Sequence, residues 1–216
     1  MLPPLTCRGG MVTAPHHLAA QAGAAILRDG GNAVEAMVAA AATIAAVYPH
    51  MNSIGGDGFW LIAEPGGEPV AIRACGASAR LATPDYYRDH GDAGIPCRGP
   101  RAALTVAGAV GGWATALDLA ARWGSSLPLS RLLESAIHHA REGVPITRSQ
   151  AALTRSKWSE LATLAGFAET FAASGLPELG DVQAHPRLAS TLDQLARRGL
   201  DDFYRGDLVR SMVRDL

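Results

Sequence analysis

From Asn32 to Val47 the chain is almost uninterrupted alanine and branched aliphatic residues, and from Phe59 to Ala63 it runs Phe-Trp-Leu-Ile-Ala with no polar position. The first run has the length of a core helix and the second that of a central strand. Val34, Met37, Val38, Ala41, Ile44 and Ala45 form one stripe of the helix, and alanines keep its other faces small, so neighbouring layers can come close. Asn32 is placed to cap it, its side chain accepting from the otherwise unpaired first-turn amides. After the strand, Glu64 to Glu68 reads as a turn and Val70 to Ala74 as a second strand, giving an antiparallel hairpin. Because Phe59 to Ile62 does not alternate, this hairpin is expected to be covered on both faces. Between the core helix and the first strand lies His50 to Phe59, where glycines 55, 56 and 58 allow a turn and close backbone approach.

Helical spacing recurs along the rest of the chain. Gly10 to Ala14 reads as a short edge strand ended by Pro15, and His16 to Arg28 as a helix stopped by Gly30 and Gly31. A helical turn is expected at Asp85 to Tyr87, a helix through Trp113, Ala116, Leu117 and Ala120 ending at Gly124, and another opened by Pro128 and closed by Gly143 and Pro145. Thr147 and Gln150 have capping-box spacing, which predicts a helix to about Leu164. Residues 166 to 186 read as loop. A helix from Arg187 to Arg198 stops at Gly199, Asp201 to Gly206 is a compact turn, and Asp207 caps a last amphipathic helix. That helix has no stop signal, so the parent polypeptide is expected to continue past Leu216. There is no internal repeat, and residues 1 to 216 are expected to form a single domain that is incomplete without a C-terminal partner chain.

The balance of 19 Lys and Arg against 20 Asp and Glu, a net charge of −1, carries no basic patch for nucleic acid. Cys7, Cys75 and Cys97 are an odd, widely spaced set that indicates neither a disulfide framework nor a zinc site, and a reducing compartment follows as the simpler expectation. The longest apolar run is shorter than the roughly 20 residues of a membrane span. With Met1 as the start there is no basic region followed by an apolar one, so the expected location is cytoplasmic.

Candidate chemistry is sparse. His16 and His17 are neighbours, as are His138 and His139; adjacent helix residues point about 100° apart and cannot chelate one ion, so these read as surface histidines. Nucleophile elbow, metalloprotease, phosphate-loop and dinucleotide motifs are all missing, and Gly55-Gly56-Asp57-Gly58 precedes a strand, whereas phosphate loops precede a helix. Asp57 is either a carboxylate within reach of substrate or a turn aspartate bonding its own backbone. Cys75, at the end of a strand, is either a small core residue or a thiol needing a base or cation to activate it. Arg73 lies two residues earlier on the same strand face, about 7 Å away by strand geometry. Arg73, Cys75 and Asp57 are the candidate substrate-binding residues; no metal and no cofactor is expected.

Several motifs in order carry a resemblance: Gly10 to His16, Ala22-Gly23 to Arg28, Gly30 to Ala36, Pro49 to Phe59, Ala82 to Tyr87, Val106 to Gly108, Gly112-Trp113, Leu127 to Leu129, Ala140 to Gly143 and Asp202 to Gly206. Together they resemble the amino-terminal half of the gamma-glutamyltranspeptidase family. The resemblance implies an α+β N-terminal nucleophile hydrolase, a four-layer αββα sandwich made as one precursor that cleaves itself into a large and a small subunit. It further implies a catalytic threonine at the start of the small subunit, activated by its own amine, with an oxyanion hole outside this chain. The chain would then be the large-subunit part, its partners the small subunit and a small-molecule amide, with no catalytic residue of its own. Two departures stand out. Gly55-Gly56-Asp57-Gly58 replaces a four-glycine run, and Cys75 stands where the family carries the arginine that grips the glutamyl α-carboxylate. Branches acting on other small amides, such as oxamate amidohydrolases, are therefore candidates beside gamma-glutamyl hydrolysis. The rival reading is an inactive binding or scaffold protein that keeps the fold.

Overall fold

The computed structural model describes residues 6–99, 101–102, 105–124, 127–164, 166–173 and 175–215. The first five positions of the leader and the terminal Leu216 lie outside them.

Two helices open the fold, α1 (His17–Arg28) and α2 (Ala33–Val47). The start of α2 is built as its sequence requires. Asn32 Oδ1 accepts from the amides of Val34 and Glu35, each at 3.0 Å, and Glu35 returns a carboxylate oxygen to the Asn32 amide at 2.8 Å. The other Glu35 oxygen accepts from the Leu127 amide at 2.8 Å, so a buried carboxylate ties this end of α2 to the segment that leads into α5 (Leu129–Glu142). Small residues on α2 let its neighbours close in: a Cβ on Gly23 of α1 would lie 2.8 Å from the Ala36 carbonyl oxygen. Ile26, Val38, Leu132, Leu133, Leu192 and Leu195 form the centre of the core, which joins α1, α2, α5 and α8 (Pro186–Arg198). Met37, expected in the buried stripe, is 42% exposed.

The hairpin pairs β1 (Gly58–Ile62) with β2 (Val70–Ala74), Phe59 opposite Arg73 and Trp60 opposite Ile72. Its inner face rests on α4 (Ala109–Ala120), where Trp60, Ile62 and Ile72 pack with Val34, Ala116 and Ala120. The expected double coverage does not hold within this chain. Alternate residues of a strand point to opposite faces, and Phe59 and Leu61 on the outer face are 74% and 77% exposed. The run is apolar on both sides, but the helices described here pack on one.

The remaining elements are α3 (Pro84–Asp89), a 3-10 turn (Ala121–Trp123), β3 (Val144–Pro145), α6 (Arg148–Leu161), α7 (Phe167–Phe171), β4 (Val182–Gln183), α9 (Asp202–Arg205) and α10 (Asp207–Asp215), with β3 and β4 forming a second short antiparallel pair. The architecture is helix-rich α+β. Gly10 to Ala14 is no strand; it lies alongside the core, with Val12 packed on it. The Thr147–Gln150 box is half made, because Thr147 accepts from the Gln150 amide while the Gln150 side chain turns to Gln183 at 2.6 Å. Helix α7 and strand β4 fall in the stretch read as loop, and Asp207 lies inside α10 rather than before it. His16 is not a surface residue. It is buried and caps α1, its Nδ1 accepting from the Leu18 amide at 3.3 Å.

Candidate functional site

The end of β2 and the entry to α4 run side by side with no room for side chains between them. A Cβ on Gly76 would sit 1.7 Å from the Val106 carbonyl oxygen, and one on Gly108 would sit 2.1 Å from that of Ala74. Only glycine fits at either position. The Val106 amide donates to the Ala77 carbonyl at 3.1 Å, and the Gly108 and Ala109 amides both donate to the Gly56 carbonyl at 2.9 Å. Strand end, helix entry and glycine loop thus share one backbone hydrogen-bonded unit.

A cleft of about 240 Å³ opens along this seam. Arg73 and Cys75 both line it, so the structure brings together the two residues the strand geometry pairs. Among the described residues of its lining Arg73 alone is charged, and its guanidinium makes no ion pair or hydrogen bond with the described residues. Cys75 is half-buried and its thiol is free. Asp57 does not join them. It is exposed on the loop beside Gly56 and makes no hydrogen bond there, so it is not a turn aspartate locked to its own backbone.

Sequence reasoning missed Tyr204. Gly108 occupies the N-cap of α4 and has no side chain with which to cap it. Tyr204, from α9, supplies the missing acceptor: its hydroxyl accepts from the Gly111 amide at 2.7 Å and donates to the Ala107 carbonyl at 2.8 Å. Burial raises its pKa, and the Gly111 bond partly offsets this. The ring is held in place because Phe203 is buried in the core and the neighbouring Asp202 carboxylate accepts from Gln194 Nε2 at 2.7 Å. Asp202 to Gly206 stands out as a motif in the sequence, but nothing local shows that its tyrosine reaches 93 residues back along the chain.

Among the described residues no three His, Cys, Asp or Glu side chains converge as metal ligands. The cleft therefore offers a cation, a thiol and a tyrosine-braced backbone wall, an arrangement suited to holding a small anionic group.

The family model for gamma-glutamyltranspeptidase matches residues 19–216. The chain belongs to the gamma-glutamyltranspeptidase family. It is 54% identical over 209 residues to the oxamate amidohydrolase proenzyme of Klebsiella pneumoniae subsp. pneumoniae, covering 96% of this chain and 39% of that protein. It is 38% identical over 208 residues to the glutathione hydrolase-like YwrD proenzyme of Bacillus subtilis, covering 95% and 38%. In structure it is similar to gamma-glutamyltranspeptidase of Helicobacter pylori, with a TM-score of 0.87 at 27% identity over 99% of this chain and 61% of that one. The fold is that of the gamma-glutamyltranspeptidases, N-terminal nucleophile hydrolases, and the chain spans about two fifths of the length of these curated relatives.

Proposed function

We propose that this chain is the large-subunit part of a self-processing amidohydrolase whose substrate is a small carboxylate-bearing amide of the oxamate type. The observation that carries the reading is the cleft itself, where Arg73 is the sole charged lining residue among those described and is unpaired, beside the thiol of Cys75. The higher identity to an oxamate amidohydrolase proenzyme than to a glutathione hydrolase-like one supports it. In this reading Arg73 holds the substrate carboxylate. Its planar guanidinium makes paired hydrogen bonds to a carboxylate that a lysine would not reproduce. Cys75 offers no guanidinium at this position, so a gamma-glutamyl group is held less well, by roughly 1.5–3 kcal/mol or about ten- to a hundredfold.

The nucleophile is an N-terminal threonine on a partner chain cut from the same precursor, which also supplies the oxyanion hole. Residues 1 to 216 make one domain that this partner completes, covering the outer face of the hairpin at Phe59 and Leu61. Exposed apolar faces of that kind mark contact surfaces. No helix among the described residues is long and apolar enough to cross a membrane. Three free thiols, Cys7, Cys75 and Cys97, fit a cytoplasmic setting. Asp57, on the exposed loop beside the cleft, is the proposed second contact for the substrate's amide end.

The test is to assay the self-processed full-length enzyme on oxamate and on a gamma-glutamyl anilide, then repeat with Arg73→Ala. Oxamate turnover that collapses in Arg73→Ala supports the reading. Efficient gamma-glutamyl turnover untouched by the substitution refutes it and leaves an ordinary transpeptidase.

A further inference from the structure

A second cavity, of about 280 Å³, lies between the segment entering the glycine loop, α7 and the start of α8. It shares no lining residue with the Arg73–Cys75 cleft. His185 lines it and is only 8% exposed, yet its imidazole makes no hydrogen bond with the described residues; it is in tilted ring contact with Phe171 at 5.8 Å. Its ring nitrogens still reach solvent, so they are open to a partner that enters the cavity. Burial lowers its pKa, so near pH 7 it is neutral and carries both an N–H donor and an acceptor.

His185 is also the N-cap of α8, and its side chain does not cap that helix. Pro186 has no amide hydrogen, and the first-turn amides of Arg187 and Leu188, two residues that line the cavity, donate to no acceptor among the described residues. A helix start with free amides attracts a carboxylate, and the Arg187 guanidinium, which has no ion pair, adds a full positive charge. Glu169 of α7 also lines the cavity and has no ion pair or hydrogen bond with the described residues. The two opposite charges line one small cavity without meeting each other. The rest of the lining mixes apolar Ile54, Phe171 and Leu188 with polar Asn52, Ser53 and Thr170.

We propose that this cavity binds a free α-amino acid with an apolar side chain. Its carboxylate is held by the start of α8, Arg187 and His185, its ammonium by Glu169, and its side chain lies on Phe171 and Leu188. A zwitterion matches both unpaired charges at once, whereas a simple anion would leave Glu169 opposing it.

The experiment is calorimetric titration of the self-processed full-length enzyme with L-leucine, 4-methylpentanoate and 3-methylbutylamine, the last two lacking the ammonium and the carboxylate in turn. The expected result is saturable leucine binding with Kd below about 1 mM, weakened tenfold or more for each truncated probe. Arg187→Met and Glu169→Gln, both at exposed positions that leave the core intact, should each weaken leucine tenfold or more, while Arg73→Ala leaves leucine binding unchanged. The proposal is overturned by a cavity that holds only solvent, seen as no saturable leucine binding. It is equally overturned by binding that Arg187→Met and Glu169→Gln do not alter, or by 4-methylpentanoate binding as tightly as leucine.

Discussion

Replacing Tyr204 with phenylalanine removes one oxygen atom and keeps the ring. That oxygen accepts from the Gly111 amide at 2.7 Å and donates to the Ala107 carbonyl at 2.8 Å. Without it, α4 loses the acceptor that stands in for a side-chain cap at Gly108, and the wall of the cleft loses its brace. Loss of a helix cap costs about 0.5–2 kcal/mol. Leaving a buried partner unsatisfied costs about 1–3 kcal/mol. The two bonds share one hydroxyl and the site is only partly buried, so the costs overlap and water offsets some of them; about 2 kcal/mol is the expected total. In an enzyme about two and a half times this length, as its curated relatives are, that corresponds to a fall in Tm of roughly 2 °C. Thermal unfolding of the self-processed full-length enzyme, wild type against Tyr204→Phe, measures it. Amide exchange at Gly111 locates the effect and should accelerate, while exchange in the middle of α2 changes little. A Tm within about 0.5 °C of wild type, with Gly111 exchange unchanged, would refute the assignment of Tyr204 as the cap of α4.

Gly108→Ala should prevent stable folding, because its Cβ would sit 2.1 Å from the Ala74 carbonyl oxygen and two backbone segments would have to part. Gly56→Ala, with nothing within 4 Å, should change stability by no more than about 0.5 kcal/mol; soluble yield and denaturant midpoints distinguish the two. Asn32→Ala should cost about 1 kcal/mol through loss of the α2 cap, read from the urea midpoint. His16, His50, His139 and His185 all have folded pKa values lowered from 6.5, chiefly by burial, so the unfolded chain binds their protons more readily. Their neutral forms cost nothing above pH 6.5, and stability should fall as the pH drops below it towards the folded values; a Tm flat between pH 7.5 and 5.5 would contradict this. The 216-residue chain expressed alone should show no amide hydrolysis and poor solubility, since the outer face of its hairpin is apolar and exposed.

The sequence by itself determined the elements whose causes are local. Asn32 and Glu35 start α2, Gly30 and Gly31 end α1, and the turn at Glu64 to Glu68 sets the hairpin register, because caps, left-handed glycines and strand alternation act over a few residues. It also set Arg73 and Cys75 two residues apart at the end of β2, where both line one cleft, and it carried the family motifs in order. Only the tertiary structure decided matters that depend on distant partners. His16 looks like a surface residue in a pair of histidines, yet packing buries it as a cap. Leu61 belongs to a run apolar on both sides, but coverage depends on which elements this chain brings, and they cover one side. Gly76 and Gly108 are ordinary punctuation until β2 and the entry to α4 come together and exclude a Cβ from both. That same exclusion leaves α4 without a cap of its own. The residue that replaces it, Tyr204, could be found only by following the chain through space to where α9 meets α4.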